Sequence, residues 1–100
     1  MKLGILVNTA QNLPLLNGIT KAAIGRGHEI IIFAMDEGTR LLTTSQFKEL
    51  SGLAGVQASF CDHSAKELEV DTSGLPASIV AGSQYNNADM NHQADKVLVL

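Results

Sequence analysis

The chain has 100 residues, 45% of them hydrophobic and 17% charged, which is material for one packed core and unlike a disordered or fibrous sequence. Its net charge of −3, with no cluster among the 7 lysines and arginines, argues against nucleic acid as the main partner. No apolar run approaches the roughly 20 residues of a membrane-spanning helix. Met1-Lys2 lead straight into a strand pattern, and the single cysteine allows no intrachain disulfide, so the expectation is one soluble, cytoplasmic domain over residues 1–100 without membrane association.

Lys2 to Val7 (KLGILV) is a short, nearly continuous apolar run, the pattern of a strand covered on both faces. Asn8 to Asn12 form a polar loop, and Asn12 stands where it can cap a helix with Pro14 in its first turn. Leu13, Leu16, Ile19, Ala23 and Ile24 recur at helical spacing up to Gly25, with Gly27 as terminator. The loop lies at the carboxyl end of a strand, where α/β sheets often bind ligands. It lacks the glycines of a phosphate cradle, and Gly25-x-Gly27 sits at a helix end, so no nucleotide or flavin cofactor is expected.

Glu29 to Met35 (EIIIFAM) is the second strand and the most β-branched segment. Asp36 to Arg40 read as a turn whose acids, Asp36 and Glu37, are solvated charges more naturally than general acids. Leu41-Leu42 begin an apolar excursion over the site at that end of the sheet. Thr44 or Ser45 caps a helix through Leu53, with Phe47, Leu50 and Leu53 on one face and Gly55 closing it.

The stretch Val56 to Val70 organises the rest. Val56, Ala58 and Phe60 alternate with Gln57 and Ser59 as a strand, and Ser64-Ala-Lys-Glu67 has the spacing of a capping box for a helix to about Glu69. Cys61, the only cysteine, stands at the junction, where unpaired backbone N–H groups and the helix dipole favour a thiolate. After a loop from Asp71 to Pro76, Ala77 to Ala81 form a fourth strand, Tyr85 to Gln93 a helix, and Asp95 to Leu100 the last strand. Five apolar strands alternating with four helices imply an α/β fold, a three-layer α/β/α sandwich on a five-stranded parallel sheet. The usual default order for such a sheet is 2-1-3-4-5.

Spacing excludes several chemistries at Cys61. The run Cys61-Asp-His-Ser-Ala-Lys66 has no arginine five positions on to hold an oxyanion, and Ser64 replaces the second thiol of a C-x-x-C motif. Asn8-Thr9 and Cys61 stand where a phosphoacceptor domain would carry its metal-holding acids. Cys61 and His63 supply two zinc ligands where three or four are needed, and neither His28 nor His92 obviously joins them, so no metal is expected. Two readings of the thiol remain: a small apolar plug beneath the helix, or a reactive sulfur. In the second, His63 as a cation or base and the Ser64 hydroxyl favour the thiolate, while Asp62 opposes it. A helix-end interaction of about 0.3–2 kcal/mol lowers the thiol pKa by up to about one unit, less what Asp62 cancels.

Gly27-His28-Glu29 before the second strand, Glu37-Gly38 after it, Gly55-Val56 leading to Cys61, and the closing Ala94-Asp95-Lys96-Val97-Leu98 together resemble the DsrE/DsrF-like family, which includes sulfur-relay subunits of the TusD type. The resemblance implies strand order 4-3-2-1-5. It also implies a homo-oligomer, trimer or hexamer first and dimer next, and a persulfide sulfur accepted and passed on at Cys61 between donor and acceptor proteins, a sulfurtransferase role. Asp62 and His63 depart from the pattern, and the long insert of larger members is missing. The alternative is a non-catalytic oligomeric module that binds a small molecule or partner protein, with Cys61 buried.

Overall fold

The computed structural model describes residues 1–100. Its elements run β1 (Lys2–Val7), α1 (Leu13–Gly25), β2 (Glu29–Ala34), a 3-10 helix (Asp36–Thr43), α2 (Ser45–Ser51), β3 (Val56–Cys61), α3 (Asp62–Glu67), β4 (Ile79–Gly82), α4 (Gln84–Gln93) and β5 (Lys96–Val99). All five strands are parallel, in the order β4-β3-β2-β1-β5. The default order is thus displaced by the one the resemblance implies.

That order decides which face each helix covers. The chain steps from β1 to β4 in one direction and then returns to the far side of β1 for β5. Right-handed crossovers therefore place α1, α2 and α3 on one face and α4 on the other. On the first face Leu16, Leu42, Phe47 and Ala65 close over Ile5, Ile32, Ala58 and Ile79 as the main core. On the second, Met90 of α4 packs with Phe33 and Cys61, flanked by Leu6, Ile31, Met35 and Val97. A single helix cannot cover a five-stranded face. Val80 on β4 and Val99 on β5 stay 53% and 60% exposed, so the edge strands, uniformly apolar as they are, keep one wet face. No helix is long and apolar enough to cross a membrane.

Several local expectations are corrected. Asn12 occupies the N-cap position of α1 without capping it: its amide donates to Leu100 O at 3.0 Å, and Thr9 Oγ1 donates to the same carbonyl at 2.6 Å. The Asn8–Asn12 loop therefore ties down Leu100, just beyond β5, a neighbour that only the strand order supplies. Asp36–Thr43 is a 3-10 helix rather than a turn, with Leu41 and Leu42 buried in the main core and not over the site. Gly38 N donates to Met35 O at 2.9 Å and Thr39 Oγ1 to Asp36 O at 2.8 Å, which winds the segment inward. Thr44 caps α2, accepting from Phe47 N at 3.2 Å, but the helix ends at Ser51 rather than Leu53. Strands β2, β4 and β5 are each shifted or shortened at their ends, because β-sheet pairing and not apolar content sets the limits.

Candidate functional site at the end of strand 3

In a parallel sheet every strand delivers its carboxyl end to the same edge. Here β2 and β4 flank β3, so the segments after them, Met35-Asp36 and Gly82 to Tyr85, stand on either side of Cys61. Gly82 is the register partner of Cys61 itself. A β-carbon at Gly82 would lie 2.3 Å from Asn86 Oδ1, the atom that accepts from Ser83 N at 3.0 Å in the capping box of α4. Together these segments line an open cleft of about 680 Å³ with Cys61 among its lining residues. On the β2 side Asp36 sits in the left-handed region at φ 47°, which aspartate tolerates better than most residues.

Cys61 is 5% exposed and is the N-cap of α3: its Sγ accepts from Ser64 N at 3.5 Å. This corrects the expected capping box. Ser64 does not cap the helix, which begins at Asp62 and ends at Glu67; the thiol, three residues ahead of Ser64, reaches its N–H first. Glu67 instead lies 3.0 Å from His63 Nε2 one turn back, and Lys66 pairs with Asp62 at 2.7 Å.

Burial is the largest single influence on the thiol and pushes its pKa up. The Ser64 hydroxyl, the Ser64 N–H, the Gln84 side-chain amide and the His63 N–H all favour the anion, and together they bring the thiol below its ordinary value. The direction agrees with the expected helix-end effect, and the Ser64 hydroxyl and the backbone N–H groups are among the expected donors, while Gln84 is an additional one. His63 acts through its backbone, since its side chain is 80% exposed and turned to Glu67, while Ser64 acts through both hydroxyl and backbone. Asp62, expected to oppose the thiolate, is paired with Lys66. No set of three or more His, Cys, Asp or Glu side chains converges as a metal site. His28 lies elsewhere, its Nδ1 3.0 Å from the amino terminus.

Met35, Gln84 and Tyr85 are cleft residues that reading along the chain missed. The available signal was topological: in the order 4-3-2-1-5, whatever follows strands 2 and 4 must flank the end of strand 3.

A parallel α/β/α sandwich with a cysteine capping the helix after its third strand defines the class of protein. The sequence profile of the DsrE/DsrF-like family matches residues 1–100, and the chain belongs to that family. Among solved structures the chain is similar to the ychN protein from E. coli, at 16% identity and a TM-score of 0.75, with 100% of each chain covered. It is also similar to a protein of unknown function, MTH1491 from Methanobacterium thermoautotrophicum, at 14% identity and a TM-score of 0.76, covering 99% of this chain and 98% of that one. At these identities the likeness is one of fold. No curated protein matches the chain.

Proposed function

We propose that the protein is a sulfur carrier that accepts a persulfide sulfur on Cys61 and passes it on, in the manner of the TusD-type relay subunits its family includes. The observation that carries this reading is Cys61 itself, a lining residue of an open cleft, whose sulfur accepts the Ser64 N–H and whose donors outweigh burial and favour the anion. In the loading step the Cys61 thiolate attacks the outer sulfur of a donor persulfide. A bond forms between Sγ and that sulfur, the donor's S–S bond breaks, and the donor leaves as a thiolate that takes its proton from solvent. Unloading is the same exchange with an acceptor thiolate as the attacking group. There is no net oxidation in either step. A thiol brought below its ordinary value gains thiolate fraction, the form that attacks in such exchanges.

Alkylation of the folded protein as a function of pH tests the site. Cys61 is expected to react in the native state, with a midpoint below that of a free cysteine. A thiol that reacts only after unfolding would leave the other reading, a non-catalytic module in which Cys61 is a plug packed on Phe33 and Met90. The linkage has a definite sign. Because the folded thiol titrates below the unfolded one, its contribution to stability is full above the unfolded pKa and is lost as pH falls through the folded one.

The proposal includes self-assembly, as a trimer or hexamer first and a dimer next. Its support is the half-covered second face of the sheet, with Val80 and Val99 exposed on either side of α4. Light scattering at micromolar protein is expected to give a multiple of the 10.6 kDa chain. A monomer mass independent of concentration would overturn it.

A further inference from the structure

On α4, Gln84, Asn87 and Asn91 follow one another at spacings of three and four and form a ladder of side-chain amides along one helix face. Its polarity is fixed from the far end. Asn91 Nδ2 donates to the backbone carbonyl of Asn87 at 2.8 Å, a bond that only the nitrogen end of that amide makes. The same nitrogen donates to Asn87 Oδ1 at 2.9 Å, so the nitrogen of Asn87 faces the other way and donates to Gln84 Oε1 at 3.1 Å. That leaves Gln84 with its Nε2 turned into the cleft, where its hydrogen-bonding partner is Met35 Sδ at 3.7 Å. A thioether is a weak acceptor. A well-oriented donor of two protons thus stands in a cleft with Cys61, bonded to one sulfur and underused by it.

We infer that Gln84 holds the anionic sulfur of this site, the Cys61 thiolate before transfer and the outer sulfur of the persulfide after it, with Asn87 and Asn91 orienting the amide. The assignment rests on the carrier reading for its second half only. It is consistent with the Gln84 amide being among the groups that lower the Cys61 thiol. The ladder also gives a reason for the amide-rich composition of α4, which otherwise contributes a single buried side chain, Met90, to the core.

Gln84→Met keeps the length of the side chain and removes the donor without adding charge. Gln84 is exposed, so the fold is expected to survive, and the melting temperature checks it. Two readouts are taken on the purified protein: the ultraviolet absorbance of the thiolate against pH, which needs no reagent access, and the rate of sulfur loading from a small-molecule persulfide. Gln84→Met is expected to raise the titration midpoint and slow loading about tenfold, the order expected for losing one hydrogen bond to a charged group. Asn91→Ala is expected to move both in the same direction by less, since it touches the amide only through Asn87. An unchanged midpoint in a folded Gln84→Met protein overturns the assignment. A wild-type protein that takes up no sulfur, while its midpoint still rises in Gln84→Met, instead removes the carrier reading and leaves Gln84 as the donor to the thiolate.

Discussion

Gly38→Ala is expected to destabilise the protein by about 3 kcal/mol or more, the upper range for a steric clash that the surroundings cannot absorb. A β-carbon at this position would lie 2.0 Å from Val7 O and 2.6 Å from Val7 C. Both are backbone atoms at the end of β1, and Val7 O already accepts from Met35 N at 2.9 Å. Neither can move aside without breaking the junction of β1 with the segment after β2. The 3-10 helix would have to lift, carrying Met35 and Asp36 away from the cleft. For a domain of this size the change corresponds to a fall in melting temperature of roughly 12–24 °C. Thermal unfolding followed by circular dichroism measures it, and a shift of only a degree or two would mean the 3-10 helix does not sit on β1 as described.

Phe33→Ala is expected to cost about 3–5 kcal/mol, the range for deleting a buried aromatic side chain. Phe33 is fully buried and joins Met90 and Cys61 in the small cluster beneath α4. A domain this size has a total stability of about 5–15 kcal/mol, so the loss is a large fraction of the whole. The cavity would open in the cluster that packs Cys61, and the thiol is expected to alkylate faster than in the wild type as α4 loosens. Denaturant unfolding gives the stability change and the alkylation rate gives the second. A large loss of stability with an unchanged alkylation rate would show that Phe33 supports the fold without supporting the site.

Local physics made the elements legible and left their arrangement open. The apolar runs of β1 and β2 and the break at Gly27 are strong signals, and all five strands and four α-helices formed in the expected sequence, with several ends displaced and a 3-10 helix in place of the turn after β2. Strand order is another matter, because nothing in the apolar content of KLGILV says which neighbours it takes; that came from the family resemblance. The same gap explains Asn12, whose amide found Leu100 O across the sheet instead of its own helix. At the site, the position of Cys61 between a strand and a helix was readable, but its part as the cap was hidden by the nearby Ser64–Glu67 spacing, which imitates a capping box. Gln84 was out of reach of any reading along the chain. Its side chain matters only because β4 lies beside β3, and the amide ladder that aims it becomes meaningful once that is known.

A transferable sulfur on Cys61 is visible as a change in intact mass. The folded protein is incubated with a persulfide-generating donor beside Cys61→Ala, then desalted, weighed, and weighed again after a thiol reductant. The wild-type protein is expected to gain the mass of one sulfur atom and to lose it to the reductant, while Cys61→Ala gains nothing. A wild-type mass that stays unchanged, or an adduct that persists in Cys61→Ala, would contradict a sulfur carried on Cys61.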